Sequence, residues 1–539
     1  MRARTSARTR NWIMLDSHHL HDLREILGQD ALLADEPSRQ YFSTDLSFQP
    51  EAIAGAVLQP TTVEALAQAV AYCHEQNIAL VPRGGGMSYT RGYVPTRARS
   101  VIVDLRGLDR ILEINEQDMY VRVQTGCTWS ELYEALKAKG LRTPYYGPLS
   151  GMYATVGGAL SQNSLFHGSG IHHTAAESCL GLKVILADGQ VVQTGSSAHL
   201  HSNGFYRHFG PDLTGLFTAD TGAFGLKVEA CLRLIKMPAE TLCASYGFET
   251  LQAMLQAQTA IAREGIASEC YGFDPFYNAG FEDKGFTLGE GLSVLADVTT
   301  SSKSLLSGLK NAVKIATQGR KLLSKVNYSL HIAVDGPTPE AVASMLLIAE
   351  TIVGENGGAP IGNAIPLAFR SQPFGGVRTI LLGSRGEVWI PVHGFFPLSR
   401  AVDAALTTER FFAENAELMQ RHNIKYSYLT CFSGAEFVIE PSLYWFDELG
   451  QFRLDLIEPS YRKDWGAIPA DPATREVALG LRERLRELYF ELGACHLQLG
   501  KYYPFQRSIG NTGTRQLLEQ MKRTVDAKGL MNPGALGLE

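Results

Sequence analysis

At 539 residues, 45% hydrophobic and 19% charged, the chain is too long for one core and is expected to fold as two or three packed units. A formal net charge of −6 argues against nucleic acid or an anionic membrane as the partner. No apolar run is long enough to span a bilayer, so no integral membrane segment is expected, and the cytoplasm is the expected location. Eight scattered cysteines include no C-x-x-C pair; they read as free thiols of a reducing compartment, without a zinc, iron–sulfur or thioredoxin signature.

Residues 1–10 are basic, with no signal-peptide apolar segment behind them. They read as a disordered leader, an organellar presequence, or sequence upstream of a start at Met14. A helix is expected over residues 18–28 and a strand over 52–58. Thr61 and Glu64 have capping-box spacing for a helix that runs to Asn77. Residues 78–81 make a short buried strand that Pro82 stops, and Gly84, Gly85 and Gly86 follow between Arg83 and Ser88. Three glycines can turn sharply and expose a row of backbone N–H groups, a nest suited to the pyrophosphate of a dinucleotide, with Arg83 and Ser88 as further donors. Alone, the triplet reads equally as a flexible surface loop.

Strands are expected over 101–105, 111–114 and 120–124, and Thr128 with Glu131 caps a short helix. A second small-residue stretch, residues 147–163, contains Pro148, Thr155, Gly157, Gly158 and Asn163. Residues 184–187 and 191–193 form a hairpin about Asp188-Gly189. A third stretch, residues 211–226, contains Gly222 and Gly225 and leads into an apolar strand with Val228. Three such loops in one α+β segment fit a large flat ligand approached by backbone from several sides better than unrelated turns.

The texture changes at Met237, which divides the chain into 1–50, 51–237, 238–470 and 471–539. The third unit is expected to hold helices over 305–323 and 339–352 and the strand-like W-I-P-V-H-G-F-F-P from Trp389. Asp471-Pro472 opens a long helix, and a final helix precedes G-L-M-N-P-G with Asn532.

In this order, the loop Pro82 to Ser88, T-V-G-G-A-L-S-Q-N from Thr155, P-D-L-T-G-L-F-T-A-D-T-G-A-F-G-L and G-L-M-N-P-G resemble the vanillyl-alcohol oxidase and 4-cresol dehydrogenase (PCMH-type) family of FAD-linked oxidoreductases. Flavin-linked D-2-hydroxy-acid dehydrogenases share that FAD domain. The Rossmann alternative fails, since no G-x-G-x-x-G joins a first strand to a helix. The resemblance implies an α+β fold: a two-subdomain FAD-binding domain over 51–237, an α+β cap over 238–470, and a return to the FAD domain over 471–539. It implies FAD held by Pro82, Arg83, Gly84, Gly85, Gly86, Met87, Ser88, Tyr89, Pro148, Thr155, Gly157, Gly158, Asn163, Gly222, Gly225, Val228 and Asn532. Met87 stands where some relatives attach FAD to a histidine, so non-covalent FAD is expected.

For the chemistry, the resemblance points to Tyr89 (with Tyr93 nearby) and Tyr502 as donors to a phenolate. Tyr503 stands in place of the usual arginine, leaving Lys501, Arg507 or Arg378 to supply a cation. Tyr89 and Tyr502 read equally as packed rings with a hydroxyl at a wet edge. His496 is the candidate base of the hydroxy-acid branch, or else a core histidine. His173, with His172 and Glu177, lies after the loop beside the flavin. His393-Gly394 lacks the carboxylate and second histidine of a cap metal site, so no metal is expected. The expected activity is hydride transfer to FAD from a para-substituted phenol or aromatic alcohol. Alternatives are a D-2-hydroxy acid such as lactate or glycolate, and a non-catalytic flavin-fold binding protein. The partners implied are a small-molecule substrate and an acceptor (oxygen, a cytochrome or a quinone); a homodimer is one assembly to test.

Overall fold

The computed structural model describes residues 15–47, 52–283, 326–375, 382–383, 385–457 and 468–539. The leader, the expected helix 305–323 and Arg378 lie outside the described residues.

The chain builds a small parallel sheet first. Ala56–Leu58, Ser100–Asp104 and Ala79–Arg83 run parallel, and Leu32–Leu33 adds an antiparallel edge. Their stretches 56–58, 79–81 and 101–103 are uninterrupted apolar runs because helices cover such a sheet, and the third strand runs on through Pro82, where it was expected to stop. Helix Val63–Glu75 supplies Leu66, Ala69, Val70 and Cys73 to that core. Its cap is Thr62, one residue later than expected, whose side chain accepts from the Ala65 amide. The capping box at Thr128 and Glu131 forms as expected. Arg83 ends its strand, so the glycine loop emerges at the carboxyl edge of the sheet.

A five-stranded antiparallel sheet follows, in the order Ile111–Asn115, Tyr120–Gln124, Leu226–Arg233, Cys179–Ile185, Val191–Gln193. The Asp188-Gly189 hairpin joins its last two strands, with Gly189 at φ +89°. The C-terminal segment returns to the first sheet: the Leu80 amide donates to the Leu530 carbonyl and the Asn532 amide to the Leu80 carbonyl.

Beyond Met237 the strands form an eight-stranded sheet. The stretch from Trp389 is two strands, Val388–Pro391 and Gly394–Pro397, both paired to Glu436–Trp445. Helices Leu251–Glu264, Pro339–Glu355, Ala401–Glu414 and Pro472–Glu491 supply the core on one face. Asp471 caps the last of these, accepting from the Thr474 amide. Strand alternation then sorts the side chains. Tyr428, Phe432, Phe437 and Ile439 join the helical core, whereas Leu429, Cys431, Val438 and Glu440 line a cavity.

A buried polar cluster ties this sheet to the preceding loops. Glu269 accepts from Tyr146 (2.7 Å), Arg370 (3.0 Å) and His167 (3.1 Å), and Arg142 pairs with Asp335 (3.3 Å). Burial pushes the Glu269 carboxyl up, but Arg370 and His167 beside it outweigh that and hold it well below the usual range.

Candidate active site

The three small-residue loops and the inner face of the large sheet enclose a cavity of about 1600 Å³, its open mouth included. Pro82, Arg83, Gly84, Gly85, Gly86, Met87, Ser88 and Tyr89 line it from the first loop. Pro148, Thr155, Gly157 and Gly158 do so from the second, and Gly222 and Gly225 from the third.

The loops are glycine-rich chiefly because they approach one another. A β-carbon on Gly85 would lie 2.6 Å from the carbonyl carbon of Tyr153, and one on Gly84 would collide with the Thr155 hydroxyl. On Gly157 it would meet Thr125 at 2.7 Å, and on Gly222, at φ +71°, Pro82 at 2.5 Å. The packed loops leave a cradle that only backbone and small side chains surround.

Arg83 is buried beneath that cradle, with Phe42 and Phe452 each 4.8 Å from its guanidinium. Burial lowers its pKa, and its Nε and Nη1 find no hydrogen-bond partner among the described residues. A buried cation with unspent donors fits an anionic ligand such as a pyrophosphate. Lys227, absent from the sequence reading, also lines the cavity and pairs with Asp220 at 2.7 Å. Asp220 also accepts from the Gly222 and Phe224 amides and so fixes the third loop.

The wall formed by the large sheet is different. Glu440 faces the cavity and accepts a hydrogen bond from the Tyr89 hydroxyl at 2.5 Å. Burial raises its pKa to about 7, against the opposing effect of Tyr89. Burial, reinforced by Glu440, raises Tyr89 well above the phenol range, so that ring stays protonated. Trp389 packs edge-on against Tyr89 at 5.3 Å, and Tyr277, Leu429, Cys431, Val438 and Leu497 complete this end. Sequence reasoning found Tyr89 and Trp389 but missed Glu440, whose one signal is a carboxylate inside the apolar strand Glu436–Trp445.

Several expected site residues stand elsewhere. Tyr502 does not line the cavity; its ring is stacked by Arg482 (4.0 Å) and Arg486 (5.0 Å), and its hydroxyl reaches the Arg482 carbonyl at 3.4 Å. Tyr503 turns to His393, accepting from the His393 amide at 2.9 Å and lying 3.2 Å from Nδ1. His496 stacks on Tyr503 at 3.8 Å and donates through Nδ1 to the His393 carbonyl at 2.7 Å. Burial lowers its pKa to about 4, so it is neutral and turned into the packing behind the wall. His173 is half-buried and pairs with Glu436 at 3.4 Å.

Among the expected cofactor contacts, Asn163 is the left-handed C-cap of helix Val156–Gln162. Val228 is a buried strand residue whose carbonyl accepts from the Thr125 amide. Asn532 donates to the Gly92 (2.8 Å) and Thr221 (2.6 Å) carbonyls, tying the loops together from behind. None of these three lines the cavity. Of the substitute cations, Lys501 donates to the Val94 carbonyl and Arg507 pairs with Glu487.

This is an FAD-binding fold of PCMH type, α+β with two subdomains and a further sheet over the cavity. Residues 54–195 match the family model described as an FAD binding domain, FAD_binding_4. The chain is 28% identical over 241 residues to glycolate oxidase subunit GlcD of Bacillus subtilis (strain 168), spanning 44% of this chain and 49% of that protein. It is 28% identical over 257 residues to the mitochondrial D-lactate dehydrogenase [cytochrome] 1 of Saccharomyces cerevisiae, spanning 46% of this chain and 42% of that one. It therefore spans about half the length of the curated relatives it matches.

Among solved structures, p-cresol methylhydroxylase with substrate bound superposes with a TM-score of 0.73 at 18% identity, covering 97% of this chain and 98% of that one. The 4-ethylphenol oxidase of Gulosibacter chungangensis gives 0.66 at 17% identity, with 97% and 98% covered. At such identities the likeness carries the fold.

Proposed function

We propose that the chain is an FAD-linked oxidase or dehydrogenase of a small hydroxyl-bearing substrate, with Glu440 as the proton acceptor and Tyr89 as its orienting partner. The hydrogen bond from buried Tyr89 to half-buried Glu440 on the cavity wall is the observation that carries this reading. FAD, when bound in the loop cradle, supplies the acceptor for a hydride. Near neutral pH Glu440 is divided between acid and carboxylate, the condition in which a general base works best. Tyr89 donates to Oε2 of Glu440 and leaves the other carboxylate oxygen to accept the proton of a substrate hydroxyl. Trp389 and Tyr277 exclude water from this end, which strengthens both interactions.

The D-2-hydroxy acid stands first as substrate class, because the glycolate oxidase subunit and the D-lactate dehydrogenase are the curated relatives in view. A para-substituted phenol or aromatic alcohol is the second reading. The wall of Tyr89, Trp389, Tyr277, Leu429 and Val438 favours it, since among the described residues that end presents no cation to a substrate carboxylate. In both readings the loops of residues 51–237 hold FAD, and the large sheet, with helix Pro472–Glu491 in its core, shapes the substrate end.

Anaerobic addition of glycolate, D-lactate, D-2-hydroxyglutarate, 4-cresol and vanillyl alcohol should identify the class by which compound bleaches the flavin. Bleaching by none of them would count against the proposed reaction, and a colourless protein would favour a binding module. Because Met87 cannot form the histidyl link, acid precipitation should release yellow FAD into the supernatant; colour kept in the pellet would reveal a covalent bond. The expectation for Tyr502 now changes. Tyr502→Phe should leave the rate of flavin reduction unchanged and cost about 1–3 kcal/mol of stability in urea unfolding, since the hydroxyl meets both the Arg482 carbonyl and the Glu483 carboxylate.

A further inference from the structure

The proposed base and its partner belong to different units of the fold. Glu440 stands on a strand of the large sheet, whereas Tyr89 ends the first glycine loop. Their hydrogen bond therefore requires the Tyr89 backbone to be fixed against that sheet. The Tyr89 carbonyl accepts from Ser47 Oγ at 2.8 Å and from Nη2 of Arg482, also at 2.8 Å. The same guanidinium donates through Nε to the Pro391 carbonyl at 3.0 Å. Pro391 ends the strand Val388–Pro391, two residues after Trp389, whose ring packs edge-on against Tyr89. One side chain thus joins the loop that carries Tyr89 to the strand that carries Trp389.

Arg482 is 0% exposed, on helix Pro472–Glu491, with its guanidinium stacked on the Tyr502 ring at 4.0 Å. Its buried neighbours on that helix, Ala478, Leu481 and Leu485, are ordinary core residues. A leucine at 482 would fill the core without taking a charge out of water, so the guanidinium stands there at a desolvation cost that its carbonyl partners offset. Its planar fork suits two carbonyls on separate segments of chain, which the single nitrogen of a lysine does not match. A second buried arginine acts beside it: Arg453 donates to the Trp389 carbonyl at 3.0 Å and to the Leu46 carbonyl. Leu46 adjoins Ser47, so both arginines hold the strand of Trp389 to one region of the loop. Arg482 itself does not line the cavity.

We propose that Arg482 is a positioning residue: by gripping the Tyr89 and Pro391 carbonyls together, it sets the Tyr89 hydroxyl on Glu440. Its effect on rate rests on the reading of Glu440 as the base; its hold on Tyr89 does not.

Two readouts keep these apart, and the first needs no substrate. Burial raises the Glu440 pKa to about 7, and Tyr89, by donating, keeps it from rising further. The titratable groups around Glu440 are Tyr89, Tyr277, Cys431, Tyr444, Tyr489 and Tyr503, all pushed up by burial and neutral. Infrared titration of the FAD-loaded protein, with the Glu440 carboxyl band assigned by its loss in Glu440→Gln, should give a midpoint of about 7 in the wild type. Arg482→Met should move that midpoint up, as Tyr89→Phe should, and the double variant should move it no further than either alone. Circular dichroism and the bound-flavin spectrum should be unchanged. The second readout is anaerobic flavin reduction by whichever of glycolate, D-lactate, D-2-hydroxyglutarate, 4-cresol and vanillyl alcohol bleaches the wild type. Its rate at saturation should fall by about tenfold or more in Arg482→Met, with KM nearly unchanged. Arg482→Lys keeps the charge but not the fork; it should behave like the methionine variant and replaces it if that variant does not fold. A wild-type midpoint in either folded, FAD-loaded variant, or shifts that add in the double variant, would overturn the proposal. A raised midpoint where no compound bleaches the wild type would support the hold on Tyr89 and remove only the part of Glu440 in the reaction.

Discussion

Glu440→Gln should slow anaerobic flavin reduction by at least about a hundredfold while the protein still purifies with its FAD. Loss of a positioned general base costs roughly 10²–10⁴ in rate. The amide keeps the size of the side chain and can still accept from Tyr89. In the wild type, kcat/KM should rise with pH through about 7, because burial places the carboxyl there and the carboxylate is the working form. The variant should lack that limb.

Stability gives an independent reading of the same group. The folded pKa lies above the ordinary carboxylate value, so the folded state binds this proton more tightly than the unfolded chain does. The stabilising contribution is complete below about pH 4.5 and is lost as pH rises through about 7. Above that pH the wild type carries a half-buried charge and the glutamine does not. The variant should then be the more stable of the two in urea unfolding, by up to about 3 kcal/mol. Equal rates in both proteins would remove Glu440 from the chemistry, whatever the stability showed.

The parts of this site that were legible in the sequence are those fixed by local sterics. Gly84 to Gly86, Gly157 and Gly222 signal close approach, because a β-carbon at each would meet a neighbour. Thr128 with Glu131, and Asp471 before Pro472, announce helix starts through hydrogen bonds that span three residues. Glu440 was not legible because its partner, Tyr89, lies 351 residues away and meets it only when the large sheet covers the loops. Alternation places Val438 and Glu440 on one face but does not say which face meets the cavity.

Tyr502 shows the opposite failure, in which a local motif pointed to the site and tertiary packing took the ring elsewhere. Arg482 and Arg486, four residues apart on helix Pro472–Glu491, lie against it, and Tyr502 is buried in the same core as that helix. His496 followed a similar course, drawn behind the wall by its stacking on Tyr503.

Gly85→Ala should abolish FAD retention, and the structural reason differs from the one a ligand-contact argument supplies. The added carbon would press into the peptide of Tyr153, so the variant drives the second loop off the first and opens the cradle before any cofactor arrives. Purified protein should be colourless, with the absorbance near 450 nm lost and added FAD failing to quench in a fluorescence titration. Its circular dichroism should stay close to wild type, since the two sheets retain their own cores. Gly84→Ala separates the two explanations. There the obstacle is the Thr155 hydroxyl, while the Thr155 β-carbon, at 3.5 Å, is in ordinary contact. Thr155→Ala should therefore restore part of the FAD binding lost in Gly84→Ala, although it removes the hydroxyl that caps helix Val156–Gln162 at a cost of about 1 kcal/mol. No side-chain change at 153 should rescue Gly85→Ala, because what blocks it is backbone. Rescue of neither variant, or normal flavin content in both, would show that the glycines do not serve loop-to-loop approach.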